Sequence, residues 1–387
     1  MSESFNVYPP EIELNIYNLV FPAQVSEPFP VHVLHFSSIV HTFNLLQHHF
    51  LATAMPSVGD MKQFLGGQYF GRPSLPQSID LSSKTIIVTG SNTGVGFDCA
   101  RLLASLGVSR LILACRTPSK AEVARTKILE SLNGKASPRI ELWEVDLDSY
   151  TSVISFCERV CSLDRLDGFV ANAGMEPVKF ELSEGIERCI NTNVISTMLM
   201  SMLVLPALKA TSEKYDIDTH LSIVGSMVHI FGKKSQLQNA AEKDIFATLS
   251  DEKTADIGSR YNLSKLLLHS CLESIYPLAG KIAPKVIVNV VNPGWCDTEL
   301  KRDQPREYWQ PIMEAIFMRS SEAGGITLVH AATAGKETHG KYLSECKVKP
   351  QGGFMADKDR LVTQDRVWTE LVARIERILP GATKILG

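Results

Sequence analysis

The sequence lacks the features by which several classes of protein are recognised. Its eight cysteines form no C-x-x-C pair and have no histidine beside them at the spacing of metal ligands, so we expect neither a zinc motif nor a disulfide framework. Scattered thiols of this kind are typical of a reducing compartment, which favours a cytoplasmic location. The formal net charge is −3, which provides no basic excess to attract a nucleic acid. We therefore expect a small-molecule substrate.

The N-terminal region lacks basic residues, because the first lysine is Lys62 and no arginine precedes it. This absence excludes the basic start of a secretory signal and an arginine-rich presequence. Polar residues interrupt residues 31–54 too often for a convincing membrane span. Apolar residues at 4-3-4 spacing from Ile39 to Phe50 predict a short amphipathic helix, which could pack on the domain, form a homo-oligomer contact or lie on a membrane. Packing on the domain is the usual case.

Five histidines lie within residues 28–59, where no formally charged residue occurs. No carboxylate or cysteine accompanies them, so no metal site is predicted.

From Lys84 onward, short β-branched runs alternate with longer helical stretches. This alternation predicts an α/β fold with a doubly wound parallel sheet. The predicted strands are Lys84–Thr89, Arg110–Cys115, Arg139–Val145, Gly168–Ala171, His220–Val224 and Val286–Val291. The predicted helices lie near Gly94–Leu106, Ser119–Leu132, Thr151–Ser162, Glu187–Leu208 and Ser259–Ser274. The chain is thus divided into an N-terminal extension (1–60), an irregular lead-in (61–83) and one α/β domain (84–387).

A glycine-rich turn joins the first predicted strand to the first predicted helix. Glycines here permit a tight turn and a close approach of the backbone to a pyrophosphate, and the helix N-terminus that follows favours an anion. This context predicts a Rossmann-type, dinucleotide-binding domain. The residues of the turn expected to bind the cofactor are Gly90, Ser91, Asn92, Thr93, Gly94, Val95 and Gly96.

The second predicted strand ends in Cys115-Arg116, where a dinucleotide fold distinguishes a ribose hydroxyl from a 2′-phosphate. An acidic residue would accept hydrogen bonds from the ribose hydroxyls, whereas the guanidinium of Arg116 offers two donors to a phosphate. The sequence therefore favours NADP(H), with a plain surface arginine as the alternative. Asp146, after the third strand, is expected at the adenine, the alternative being a loop cap.

Several ordered motifs resemble those of the short-chain dehydrogenase/reductase family, from about Ser83 to the C-terminus. The glycine turn matches the family's T-G-x-x-x-G-x-G pattern. The further matches are Asn172-Ala173-Gly174, the helix asparagine Asn193, Gly225-Ser226 at the S-S position, Tyr261 and Lys265 as Y-x-x-x-K, and Pro293-Gly294 with Thr298 as P-G-x-x-x-T. The sequence looks most like the subgroup of retinol dehydrogenases and protochlorophyllide reductases, and it is similar to fungal biosynthetic reductases.

The resemblance implies a catalytic role for four residues. Tyr261 is expected to donate a proton to the substrate oxygen, and Lys265, one helical turn away, to lower the pKa of the phenol and hold the nicotinamide ribose. Ser226 is expected to hydrogen-bond the substrate oxygen, and Asn193 to support a water that relays protons to Lys265.

Other matched residues are expected to shape the cofactor site. We expect Asn172 to tie the fourth strand to its neighbour, with Ala173 and Gly174 beside the cofactor. Pro293, Gly294 and Thr298 are expected to form the nicotinamide pocket.

Two regions are expected to lie beside the substrate. The stretch Gly232–Gly258, longer than in simple family members, is interpreted as either a substrate lid or a surface excursion. The region Glu299–Arg319 is expected to form the other wall of the pocket, with Tyr308, Trp309, Ile312 and Met313 as candidates, although these side chains could equally be ordinary core.

The main functional prediction is an NADP(H)-dependent oxidoreductase that acts on the carbonyl or alcohol of a small, hydrophobic or secondary-metabolite substrate. The alternative is a non-catalytic NADP(H)-binding regulator, which needs the glycine turn and Arg116 but not the catalytic residues. Sugar-nucleotide epimerisation on a related fold is disfavoured by the glycine spacing and the P-G-W-C-D-T stretch.

Overall fold

A computed structural model describes residues 56–76, 79–240, 244–298 and 310–384. The amphipathic helix predicted between Ile39 and Phe50 and the five N-terminal histidines lie outside these residues. So do two of the predicted pocket residues, Tyr308 and Trp309, and the side chains of Ile312 and Met313.

The centre of the fold is an eight-stranded sheet with the order β10-β9-β8-β7-β4-β1-β2-β3. All neighbouring strands are parallel except β9 and β10, which are antiparallel. A separate two-stranded hairpin is formed by β5 and β6. In chain order the strands are Thr85–Thr89 (β1), Arg110–Cys115 (β2), Arg139–Glu144 (β3), Gly168–Ala171 (β4), Leu182–Ser183 (β5), Ile186–Glu187 (β6), Thr219–Val224 (β7), Val286–Asn292 (β8), Tyr342–Ser344 (β9) and Lys347–Lys349 (β10).

The six predicted strands are confirmed, and each observed bound lies within one residue of the predicted bound. The sequence pattern missed the hairpin of β9 and β10, which makes the sheet mostly rather than wholly parallel. Its strands have three residues each, and its turn uses Glu345 and Cys346 at positive φ of 51° and 57°. Turns of that conformation are usually recognised by Asn-Gly or Asp-Gly, and neither pair is present here.

Helices cover both faces of the sheet. Those within the described residues are Val58–Phe70 (α1), Gly94–Ser105 (α2), Pro118–Ser131 (α3), Tyr150–Cys161 (α4), Arg188–Ile190 (α5), Thr197–Tyr215 (α6), Lys234–Ala240 (α7), Ile245–Leu249 (α8), Arg260–Ile282 (α9), Gln310–Phe317 (α10), Ser321–Ala331 (α11) and Arg360–Ile378 (α12). A π-helical turn, Asn191–Ser196, joins α5 to α6. The helix predicted near Glu187–Leu208 is therefore confirmed as a continuous helical run, Arg188–Tyr215, with a π-helical segment near its start.

Alternate residues of the strands supply two separate cores. In β1, Ile87 joins the core under α4, α6, α9 and α12, whereas Ile86 and Val88 join the core under α2, α3 and α11. All five residues of β1 are buried, as expected for a central strand of a doubly wound sheet. The helical run Arg188–Tyr215 is long and apolar enough to cross a membrane by length and composition alone, but 78% of its apolar window is buried inside the fold.

The irregular lead-in predicted for residues 61–83 is partly wrong, because α1 occupies its first half. The helix has a capping box: Ser57 Oγ accepts from the Asp60 amide at 3.1 Å, and the Asp60 carboxylate accepts from the Ser57 amide at 3.2 Å. Gly66 and Gly67 lie inside this helix. The predicted boundary between residues 60 and 61 therefore falls within α1.

Candidate active site

The glycine turn lies at the carboxyl end of β1, where the strand order reverses between β1 and β4. Gly90 and Gly94 have positive φ of 64° and 58°, a conformation that other residues rarely adopt. A Cβ atom on Gly96 would lie 2.3 Å from Asn172 Nδ2 and 2.4 Å from the Gly90 carbonyl oxygen. The three glycines thus allow the turn, residues 90–96, to pack closely against Asn172, Ala173 and Thr298. We call this turn the glycine cradle, because a glycine turn at this position of an α/β sheet is suited to a dinucleotide.

Asn172 joins the ends of β4 and β1. Its Nδ2 donates to the carbonyl oxygens of Thr89 at 2.9 Å and Gly90 at 3.3 Å. In return, Thr89 Oγ1 accepts from the amides of Asn172 and Ala173, both at 3.0 Å. These contacts agree with the structural role predicted for Asn172, since they fix the glycine turn against the next strand.

Two side chains of the glycine turn are directed into the protein. Ser91 is fully buried, with Oγ at 3.4 Å from Cys115 Sγ, and Val95 is 8% exposed and belongs to the core that contains α11. For these two residues, a contact with a cofactor would have to come from the backbone.

Arg116 follows β2, and its side chain is 58% exposed. Its Nη1 lies 3.3 Å from Asp148 Oδ2. Asp148 was not singled out from the sequence, yet it also accepts from Arg188 at 2.7 Å and from Thr192 Oγ1 at 2.8 Å, and its amide donates to Asp146 Oδ1 at 3.0 Å. The guanidinium therefore lies at the predicted end of the strand, while Asp146 forms a local turn with Asp148.

Tyr261 and Lys265 lie one turn apart on α9, and Ser226 lies just beyond the end of β7. The Ser226 side chain interacts with the Tyr261 phenol and lowers its pKa. Lys265 Nζ lies 5.6 Å from the centre of the Tyr261 ring and donates to the Val224 carbonyl oxygen at 2.9 Å. The structure thus brings the three predicted catalytic side chains together at one end of the sheet.

Burial dominates the ionisation of this pair. It raises the pKa of Tyr261 well above its usual value, and the carboxylate of Glu176 raises it further, whereas the Ser226 side chain lowers it by less. Burial also lowers the pKa of Lys265 to about 8. The pKa of the phenol was expected to be lowered by Lys265. Desolvation of the phenol raises its pKa instead.

Asn193 lies in the π-helical turn and contacts the loop that follows β4. Its Oδ1 accepts from the Met175 amide at 2.9 Å, and its Nδ2 donates to the Met175 carbonyl at 2.8 Å and to Ser264 Oγ at 3.0 Å. A Cβ atom on Gly174 would lie 3.0 Å from Asn193 Oδ1 and 4.0 Å from Lys265 Nζ. Asn193 therefore holds the loop against α9 beside Lys265, and the water relay stays a prediction.

The loop Pro293–Thr298 lies next to the glycine turn. A Cβ atom on Gly94 would lie 3.1 Å from Thr298 Cγ2, so Thr298 borders the cradle. Gly294 has a φ of 88°, and a Cβ atom there would lie 2.7 Å from Gln68 Oε1. The predicted pocket residues are thus adjacent to α1 as well as to the glycine turn.

Gln68 of α1 is a functional candidate that the sequence analysis missed. Its Nε2 donates to the carbonyl oxygens of Trp295 at 3.1 Å and Phe317 at 2.8 Å, and its Oε1 accepts from the Trp295 amide at 3.0 Å. Arg319 also donates to the Gly67 carbonyl. No sequence pattern marks a lone glutamine more than 200 residues from its partners.

The stretch Gly232–Gly258 is not a surface excursion where it is described. Leu237, Ile245 and Phe246 are fully buried and belong to the larger core. The Ile245 amide also donates to Glu370 of α12 at 2.6 Å. The helices α7 and α8 are therefore part of the domain's packing, and the contribution of this stretch as a lid stays a prediction.

Comparison with known proteins identifies the family. The short chain dehydrogenase family matches residues 84–229. The chain is 38% identical over 327 residues to the short chain dehydrogenase/reductase dmxR8 of Cryptosporiopsis sp., covering 83% of this chain and 98% of that protein. It is also 38% identical over 293 residues to the short chain dehydrogenase sol3 of Alternaria solani, covering 74% and 98% of the two chains. The chain belongs to the short-chain dehydrogenase/reductase family.

Solved structures show the same fold for this short-chain dehydrogenase/reductase. An uncharacterised protein from Mycobacterium paratuberculosis matches 79% of the chain and 97% of its own length, with 20% identity and a TM-score of 0.56. The NADPH-bound carbonyl reductase from chicken fatty liver matches 70% and 99%, with 17% identity and a TM-score of 0.50. The protein is therefore an oxidoreductase of this family with a Rossmann-type sheet.

Proposed function

We propose that this oxidoreductase uses NADP(H) to interconvert a carbonyl and an alcohol on a small, hydrophobic molecule of secondary metabolism in the cytoplasm. The observation that carries the proposal is the convergence of Ser226, Tyr261 and Lys265 beside the glycine cradle. Ser226 lowers the pKa of Tyr261 through their side chains, and Lys265 donates to the carbonyl oxygen of Val224, two residues before Ser226. A protein that only bound the cofactor would not require this arrangement.

The residues at the end of the sheet fit a nicotinamide dinucleotide. Glycines at positions 90, 94 and 96 of a strand-to-helix turn are suited to a close approach of the backbone to a pyrophosphate. The exposed guanidinium of Arg116 is suited to a 2′-phosphate. When bound, such a cofactor supplies the reducing equivalents, transferred as hydride. The carbonyl reductase from chicken fatty liver has NADPH bound in its crystal structure, which is consistent with this choice but does not decide it.

The chain's own residues handle the proton and the substrate oxygen. Tyr261 is protonated at neutral pH, since a phenol has an ordinary pKa near 10 and burial raises it further. It can therefore donate to the oxygen of a carbonyl that is being reduced. Ser226 holds the same oxygen by a hydrogen bond. Lys265, whose pKa is about 8, exists in both protonation states near pH 8 and can return a proton to the phenol.

The proposal is tested by following NADPH oxidation with a panel of ketones, aldehydes, quinones and enones. We expect turnover with at least one carbonyl compound and a preference for NADPH over NADH. Tight NADPH binding without turnover of any member would contradict the proposal and favour the regulator instead.

A further inference from the structure

Two buried histidines lie directly beneath the Ser226 backbone. His229 is three residues after Ser226, and His269 is one helical turn after Lys265 on α9. Their rings are stacked, with centroids 4.2 Å apart and planes 21° from parallel. Both residues are fully buried, and neither is one of the four residues given a catalytic role.

Each histidine binds one backbone group of Ser226. The Ser226 amide donates to His269 Nε2 at a long 3.4 Å, and His229 Nδ1 lies 2.7 Å from the Ser226 carbonyl oxygen. An amide can only donate and a carbonyl can only accept. His269 Nε2 must therefore lack a hydrogen, and His229 Nδ1 must carry one.

Two hydrogen bonds, from Gln351 to Glu273 and between Gln351 and His269, impose the same tautomer on His269. Gln351 Nε2 donates to Glu273 Oε1 at 2.5 Å, so the amide oxygen of Gln351 faces His269 Nδ1, at 2.7 Å. That nitrogen must then be the donor, which leaves Nε2 free to accept from Ser226. Burial lowers the pKa of His229 to about 4 and that of His269 well below its usual value, so both rings are neutral near pH 7.

Gly225 makes the room that His269 needs. A Cβ atom at residue 225 would lie 2.3 Å from His269 Nε2 and 2.6 Å from Val290 Cγ2. The family motif S-S has a serine at this position, so this chain departs from the motif where the imidazole approaches. The imidazole of His269 therefore fits only because residue 225 has no side chain, a dependence that we call size coupling.

We infer that His229 and His269 are positioning residues: together they clamp the Ser226 backbone, one at its amide and one at its carbonyl, and thereby aim Ser226 Oγ at Tyr261 and the substrate oxygen. The inference rests on the proposed function for its catalytic consequence. The clamp itself is a property of the protein without substrate. Its existence and its effect on turnover are therefore tested separately.

The first test is NMR of the protein labelled with ¹⁵N at its histidines, with His229→Gln and His269→Gln used for assignment. We expect both rings to be neutral Nδ1–H tautomers at pH 7.5. A hydrogen on Nε2 of His269, or a hydrogen on Nε2 rather than Nδ1 of His229, would overturn the clamp. This result requires no substrate.

The second test compares three variants in NADPH-dependent turnover. His269→Leu removes the acceptor, and we expect kcat to fall by roughly ten- to a hundredfold while the Kd for NADPH stays within about twofold. His269→Gln keeps an acceptor and should restore part of the loss. The control is His220→Gln at the other end of β7, where His220 Nε2 lies 2.8 Å from the Ala334 carbonyl oxygen. It should leave kcat unchanged.

The third test is a double-mutant cycle in thermal unfolding. Gly225→Ala should lower the melting temperature less in a His269→Ala background than in the wild type, and only partial relief is expected because the Val290 contact remains. Additive effects would contradict the size coupling.

A wild type that reduces no carbonyl would defeat the proposed function, while the NMR and unfolding results would still decide the clamp. Equal kcat for His269→Leu and wild type would overturn the positioning role.

Discussion

At the scale of single residues, the proposed selection of NADP(H) depends on Arg116. Its side chain is 58% exposed and its partner in the protein is Asp148, at 3.3 Å. An exposed pair of this kind contributes little to stability, about 0–1 kcal/mol. A 2′-phosphate can therefore replace or share that partner at low cost, and the guanidinium is available for recognition.

Changing Arg116 to Asp should weaken NADPH binding far more than NADH binding, because a charge-assisted hydrogen bond of about 1.5–3 kcal/mol is lost. The measurement is the Kd of each cofactor by fluorescence titration. Arg139→Asp is the control, since Arg139 is also exposed but starts β3 at the opposite end of the sheet. Equal losses for NADPH and NADH would refute the assignment of Arg116.

At the scale of elements, sequence and structure agree where the pattern is local. The six predicted strands could be identified because short β-branched runs alternate with longer helical stretches, and the glycine turn follows the first strand. Contacts between distant segments could not be predicted. Gln68, Asp148 and His269 act through partners that are 32 to 249 residues away, and no periodicity marks such residue types.

The helix α1 shows what such a contact adds. Replacing Gln68 by Ala removes three hydrogen bonds with Trp295 and Phe317, at a cost of about 1–3 kcal/mol. We expect a lower melting temperature. We also expect a raised KM for NADPH, because the loop 293–298 borders the glycine cradle. The control is Gln63→Ala on the same helix, whose single bond to the Pro350 carbonyl is exposed. Similar effects of the two variants would show that α1 does not hold the loop.

At the scale of the whole molecule, the candidate site lies at the carboxyl ends of the parallel strands. The buried histidines behind it make the free energy of unfolding depend on pH. His229 has a folded pKa of about 4 against 6.5 in the unfolded chain. The unfolded state therefore binds more protons between these values, so stability falls as the pH drops from 6.5 towards 4.

The contribution of His229 to this loss is roughly 2 kcal/mol between pH 7.5 and 5. We expect the free energy of unfolding in urea to fall more for wild type than for His229→Gln over that interval. The same fall in both proteins would mean that the buried imidazole does not titrate as described.

The central claim, that Tyr261 donates the proton in carbonyl reduction, is tested most directly by kcat and NADPH binding of Tyr261→Phe. The phenol is lost while the glycine cradle and Arg116 remain, so kcat should fall by about 10²–10⁴-fold with an unchanged Kd for NADPH. Lys265→Ala, in contrast, should impair both. A Phe variant with near-native turnover would contradict the account, because another acid would then have to supply the proton.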